Sequence, residues 1–253
     1  AAGNFNFSSS PAQALSTLKK VSFGAMDLFA WIFAIVSTAL LIPRDIEDRT
    51  LYTILAKPVR RVEYLLGKLC GVLLVVAISL AIMFAICSLM IFSKQAGYVA
   101  DEMASAGSAS AEIIEERIAV IQRNGFHPDL LWATYASFLK AAVVAAVTIL
   151  LSTFASSSLF TIIISVLVFL VGHAHTMLTN FWLAETDGNF VVQQLLNLLK
   201  IIIPNFQIFS FSEGIVQGEL IPPLLLWQVS GLTGAYLFVL LLLSLLAFID
   251  KEF

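Results

Sequence analysis

Charge is scarce in this chain. Asp, Glu, Lys and Arg make up 12% of its 253 residues, 59% are hydrophobic, and the mean hydropathy is +0.93. Soluble domains carry about 25% charged and roughly 45–50% apolar residues, so a soluble fold of this length could not hide so much apolar surface. Cysteine is scarce too. Cys70 and Cys87 are the only two, and both fall inside one apolar run, which argues against a structural disulfide. A basic stripe of the kind nucleic acid requires is absent. The net charge of −3 carries little meaning, because the charges are segregated along the chain. The polar start, with Asn4, Asn6, Ser8, Ser9 and Ser10, lacks a basic segment leading into an apolar core and is therefore not a signal peptide.

Reactive constellations are missing as well. His173 and His175 form a His-x-His pair, but only Glu185 and Asp187 follow, without the spacing a metal needs; the pair reads as polar residues at a headgroup boundary. Gly67-Lys68 superficially resembles the end of a phosphate-binding loop, yet Leu69 follows where Ser or Thr is required. No Gly-x-Ser-x-Gly, no His-Glu-x-x-His and no pair of intramembrane aspartates supports an intramembrane protease.

What the chain has is long apolar runs. Residues 21–42, 69–92, 131–153, 159–178 and 224–248 are each long enough to cross the membrane, which takes about 20 helical residues for roughly 30 Å of hydrocarbon. Helices are expected because each backbone amide must find its partner within its own segment. The fold class is therefore an all-α polytopic membrane protein, one domain over residues 1–253 with five transmembrane helices. A sixth stretch, 190–211, holds Gln193, Gln194, Asn197 and Lys200 and is broken at Pro204; its apolar face of Leu195, Leu198, Leu199 and Ile202 predicts an interfacial or partly buried helix.

Lys and Arg set the orientation. The 43–68 loop carries Arg44, Arg49, Lys57, Arg60, Arg61 and Lys68, whereas the acid-rich 94–130 loop has Lys94, Arg117 and Arg123. The first loop is expected on the cytoplasmic side and the second outside, which puts the C-terminus inside and residues 1–20 outside. Lys19 and Lys20, at the outer head of the first span, run against that rule. An outside N-terminus implies either a processed chain or an earlier transmembrane helix, and the second is expected. In the outer loop, Ser110 is a plausible cap for a helix reaching Gln122, with Gly125 and Pro128 ending it.

Asp27 and Lys140 are the acid and the base that lie clearly within spans. An ionisable group in hydrocarbon is a functional hypothesis by default, so both are candidates for a substrate path. The alternatives are snorkelling of Lys140 and mutual pairing, since the two residues stand at similar depth.

In the 43–68 loop, Leu51, Ile54 and Leu55 form one apolar face of a short helix that Pro58 stops. Val62, Leu65, Leu66 and Leu69 then start a second amphipathic run. A surface helix with its charged side outward suits docking to a soluble subunit. The run from Ile46 to Lys68 resembles the signature of ABC-2 type transporter permeases, in which a glutamate is followed by Gly-Thr, a leucine-rich turn, Lys-Pro, a basic pair and Gly-Lys. Glu47, Thr50, Leu51, Leu55, Lys57, Pro58, Arg61, Gly67 and Lys68 match that signature, while Arg49 stands where the family usually has glycine.

The resemblance implies that this segment, with Asp48 and Arg60 among its charges, couples the chain to an ABC ATPase subunit that holds ATP and Mg, while the chain itself performs no bond chemistry and binds no cofactor. It further implies a second permease subunit, six spans in the complete subunit, and a place in a bacterial inner membrane. Function would then be movement of a substrate, usually export, driven by the partner ATPase. A different class of reading stays open: a non-transporting structural or assembly subunit, with the 43–68 loop as a static dock.

Overall fold

The computed structural model describes residues 10–47, 61–104, 111–155, 157–174, 194, 204–218 and 222–249. All regular structure among them is helical: α1 (Pro11–Glu47), α2 (Arg61–Ala104), α3 (Ala111–Asn124), α4 (Leu130–Phe154), α5 (Ser158–His173), a 3-10 turn (Phe206–Phe209), α6 (Phe211–Gln217) and α7 (Pro223–Ile249). Four of these helices are long and apolar enough to cross a membrane, and α5 is a shorter apolar helix. The chain is thus an all-α polytopic membrane protein.

The 44 residues of α2 extend about 66 Å at 1.5 Å per residue, well beyond roughly 30 Å of hydrocarbon. The helix therefore continues through residues 93–104, which the sequence reading gave to the outer loop. In the same way α1 starts at Pro11, ahead of the expected span, and carries on through Pro43 to Glu47. Proline removes one intrahelical donor, yet at Pro43 the helix persists for a further turn.

The centre of the bundle is α4. Its most apolar window is 78% buried, against 22–33% for the other three long helices, and it packs on α1, α2, α5, α6 and α7. Small side chains explain the position, because Ala133, Ala136, Ser137, Ala141, Ala142, Ala145 and Ala146 are all buried and let neighbouring backbones approach.

Contacts fix the directions of the helices. The start of α1 shares a cleft with Glu102 near the end of α2, and Phe23 meets Phe84 edge-on at 6.3 Å, so α1 and α2 are antiparallel. Asp27 meets Lys140 and Trp31 stacks on Phe169, which makes α4 run with α1 and α5 against it. Tyr135 Oη and Ser230 Oγ, 3.0 Å apart, join α4 to α7, and Val62, Leu65 and Leu66 of α2 line a groove with Phe238, Leu241, Leu242 and Leu245 of α7. One end of the bundle therefore gathers Glu47, Arg61, Phe154, Ser158 and Ile249. The other gathers Pro11, Ala104, Leu130 and Pro223.

At this second end α3 lies against α1 and α2. Arg117 reaches Glu102 at 3.6 Å, and the Phe126 amide donates to Gln95 Oε1 at 2.9 Å, tying the turn after α3 back to α2. Beyond α5, Phe206 of the 3-10 turn is 1% exposed and packs on Phe169 with ring centroids 5.2 Å apart. The Asn205 side chain closes that turn by accepting from the Gln207 amide at 3.0 Å. Gly172 makes the fit feasible, because a Cβ there would lie 2.6 Å from both Phe206 Cδ2 and the Pro204 carbonyl oxygen.

Candidate functional site

Helical spacing puts Lys20, Phe23, Gly24 and Asp27 on one face of α1, since residues three and four apart lie above one another. On α4 the same rule aligns Ala133, Ser137 and Lys140. The two faces meet each other and α6, and between them lies a cavity of about 270 Å³. Small residues create the hollow: Gly24 has no atom within 4 Å of where its Cβ would stand, and Ala133 and Ser137 face it from α4.

The floor holds an ion pair. Lys140 Nζ donates to Asp27 Oδ2 at 2.8 Å, with the side chains 9% and 27% exposed respectively. The same ammonium lies 5.6 Å from the centroid of the Phe169 ring. Phe169 in turn is stacked on Trp31 at 4.2 Å and on His173 at 5.9 Å. Coulomb attraction and ring polarisation therefore hold the buried cation from two sides. Lys20 and Glu213, both exposed, form the open side of the cavity, where Ser210, Ser212 and Gln217 add polar groups.

Of the residues picked out from sequence, Asp27 and Lys140 are thus brought into direct contact. The residues expected to couple to an ATPase fall elsewhere. Glu47 is the last residue of α1 and Arg61 the first of α2, at the end of the bundle opposite Pro11. Gly67 and Lys68 lie on the first turns of α2, with Lys68 Nζ 5.6 Å from the Tyr64 ring centroid. Asp48, Thr50, Leu51, Leu55, Lys57, Pro58 and Arg60 lie outside the described residues. So does most of the 190–211 stretch, and so does His175. Among the described residues no group of three His, Cys, Asp or Glu is placed to hold a metal.

Sequence reasoning missed Gly24, Ser137, Glu213 and the polar residues of α6 as members of this site. The signal for the first two was present, as the i, i+3, i+4, i+7 register around Asp27 and Lys140. Lys20, which ran against the charge rule, acquires a place at the cavity. Nothing local in the sequence ties Glu213 to Asp27, because their meeting depends on how the chain returns after α5.

Residues 4–253 match the family model described as ABC-2 family transporter protein. The chain has no match among curated proteins.

Proposed function

This chain belongs to the ABC-2 family of transporter proteins, and we propose that it is the permease subunit of an ATP-binding cassette exporter, working with a second permease subunit and with a separate ATPase. The observation that carries the proposal is the separation of two features on one helix. Asp27 lines a cavity, and Glu47 ends the same helix where the stretch resembling the ABC-2 signature begins. Twenty residues of helix make that separation about 30 Å. A continuous helix transmits a push at its end as a rigid lever, whereas a side-chain relay over that distance would need many coupled contacts.

In this mechanism ATP binding closes the partner ATPases against residues 44–66. The hairpin of α1 and α2 tilts, and the cavity between α1, α4 and α6 changes its access. Acids at Asp45, Glu47 and Asp48 and bases at Lys57, Arg60 and Arg61 supply salt-dependent contacts at the joint. The permease contributes no catalytic group. It shifts between two states whose energies the nucleotide changes in the partner, and it does so only as far as those states bind the partner differently. Asp27 and Lys140 belong to the substrate path in this reading, with the membrane taken as a bacterial inner membrane and the C-terminus on its cytoplasmic side.

The test is purification of the native complex in mild detergent with partners identified by mass spectrometry. A stoichiometric ATPase carrying a phosphate-binding loop is expected, and it should be lost when Glu47→Lys and Arg61→Ala are combined. Recovery with other membrane proteins and no ATPase would replace the proposal with the structural-subunit reading.

A further inference from the structure

The cavity between α1, α4 and α6 has a charge pattern that selects a ligand class. Its floor is electrically closed, because Asp27 and Lys140 neutralise each other at 2.8 Å. Its open side is not. Lys20 and Glu213 both line it, and neither makes an ion pair with another described residue. They do not pair with each other either, so both charges are left to a ligand in the cavity they line. Inside, the Ser137 hydroxyl lines the cavity from a residue only 4% exposed and makes no hydrogen bond to another described residue. Ser152 and Ser165, by contrast, are buried away from this cavity.

We propose that the cavity binds a zwitterionic group, with the anionic end at Lys20 and the ammonium end at Glu213. A net anion would bring its charge toward Glu213, and a net cation toward Lys20. An uncharged ligand would take both side chains out of water without giving either a partner, a costly exchange. A zwitterion satisfies both, and Ser137 is left to donate to its anionic oxygens. Size agrees: about 270 Å³ falls just below the roughly 300–1,000 Å³ of drug-sized pockets, so the space suits a headgroup or a small metabolite rather than a folded peptide. Both α1 and α4, which wall the cavity, are long and apolar enough to cross a membrane, so a lipid headgroup is one source of such a group and a free metabolite another. The word substrate for this ligand rests on the permease reading; the binding itself does not.

The experiment uses the full complex, delipidated and then placed in nanodiscs, with three probes: phosphatidylethanolamine, phosphatidylglycerol and soluble phosphoethanolamine. Native mass spectrometry counts lipids retained per chain, and calorimetry follows the soluble probe. One phosphatidylethanolamine per chain is expected, in preference to phosphatidylglycerol. Lys20→Gln and Glu213→Gln, both exposed and so harmless to folding, should each weaken it at least tenfold. Gly24→Leu, whose side chain enters open space, should abolish it.

Binding of phosphoethanolamine as well identifies the zwitterion alone as the recognised group. Binding of the lipid only assigns the source to the bilayer, and binding of phosphoethanolamine only assigns it to a free metabolite. Equal retention of phosphatidylglycerol, no binding of either zwitterion, or binding indifferent to all three substitutions overturns the inference. A complex that keeps its ATPase yet binds no zwitterion refutes this inference and leaves the permease reading standing.

Discussion

Lys140 Nζ sits 2.8 Å from Asp27 Oδ2 in the middle of a helical bundle. Each charge alone at the centre of a membrane costs roughly 2.5–3.5 kcal/mol on an insertion scale. Together they offset much of that, and removal of one leaves the other uncompensated. Asp27→Asn or Lys140→Met alone should therefore destabilise the protein by about 3–5 kcal/mol. The double substitution should recover a large part of the loss, which a thermal-unfolding double-mutant cycle on the purified protein will read. Additive losses would mean that the two residues do not stabilise one another.

Gly172 is required by close packing. Gly172→Ala should lower stability by about 1–3 kcal/mol, since the new methyl forces Phe206 and Pro204 away from α5. Gly234→Ala, where a Cβ meets nothing within 4 Å, is the control. At that site the better helix propensity of alanine should leave stability unchanged or raise it by up to about 1 kcal/mol. Equal effects at the two sites in a melting assay would count against the packing account.

Gln95 ties α2 to the turn after α3 through the Phe126 amide. Gln95→Leu leaves that part-buried N–H without its acceptor and should cost about 1–3 kcal/mol. Faster hydrogen exchange at Phe126, with the α4 amides unchanged, is the local readout.

Coupling is tested at the other end of the bundle. Glu47→Lys, or Arg60→Ala together with Arg61→Ala, should reduce transport at least tenfold at normal expression while the partner ATPase continues to hydrolyse ATP. The gap to the unmodified protein should narrow with added salt, which screens the same contacts in the unmodified complex, if these charges meet partner charges at an exposed joint. Unchanged transport in both variants would remove the coupling role from this segment.

Much was legible in the sequence, and for one reason: hydrocarbon permits few backbone solutions. Apolar runs of 20 or more residues had to become helices, because lipid offers no other partner for an amide. A fixed rise per residue then placed Asp27 and Lys140 at similar depth, so their pairing was among the readings available before any coordinates. The ABC-2 signature likewise lies in a continuous stretch, from Ile46 to Lys68, where no tertiary knowledge is needed to see it.

Facing was not legible. A helix such as α4 is apolar all round, so its hydrophobic pattern does not say which side meets a neighbour. Packing settled that Ala133, Ser137 and Lys140 turn toward α1, and that the missing bulk at Gly24 becomes a cavity rather than a close contact. Gly172 shows the reverse outcome, with the same residue type filled to contact by Phe206. Sequence determined that the apolar runs form helices and where the charges stand along them. Tertiary structure alone decided which faces meet, because that depends on the rotation of each helix about its axis and on the path the chain takes in returning, neither of which is encoded locally.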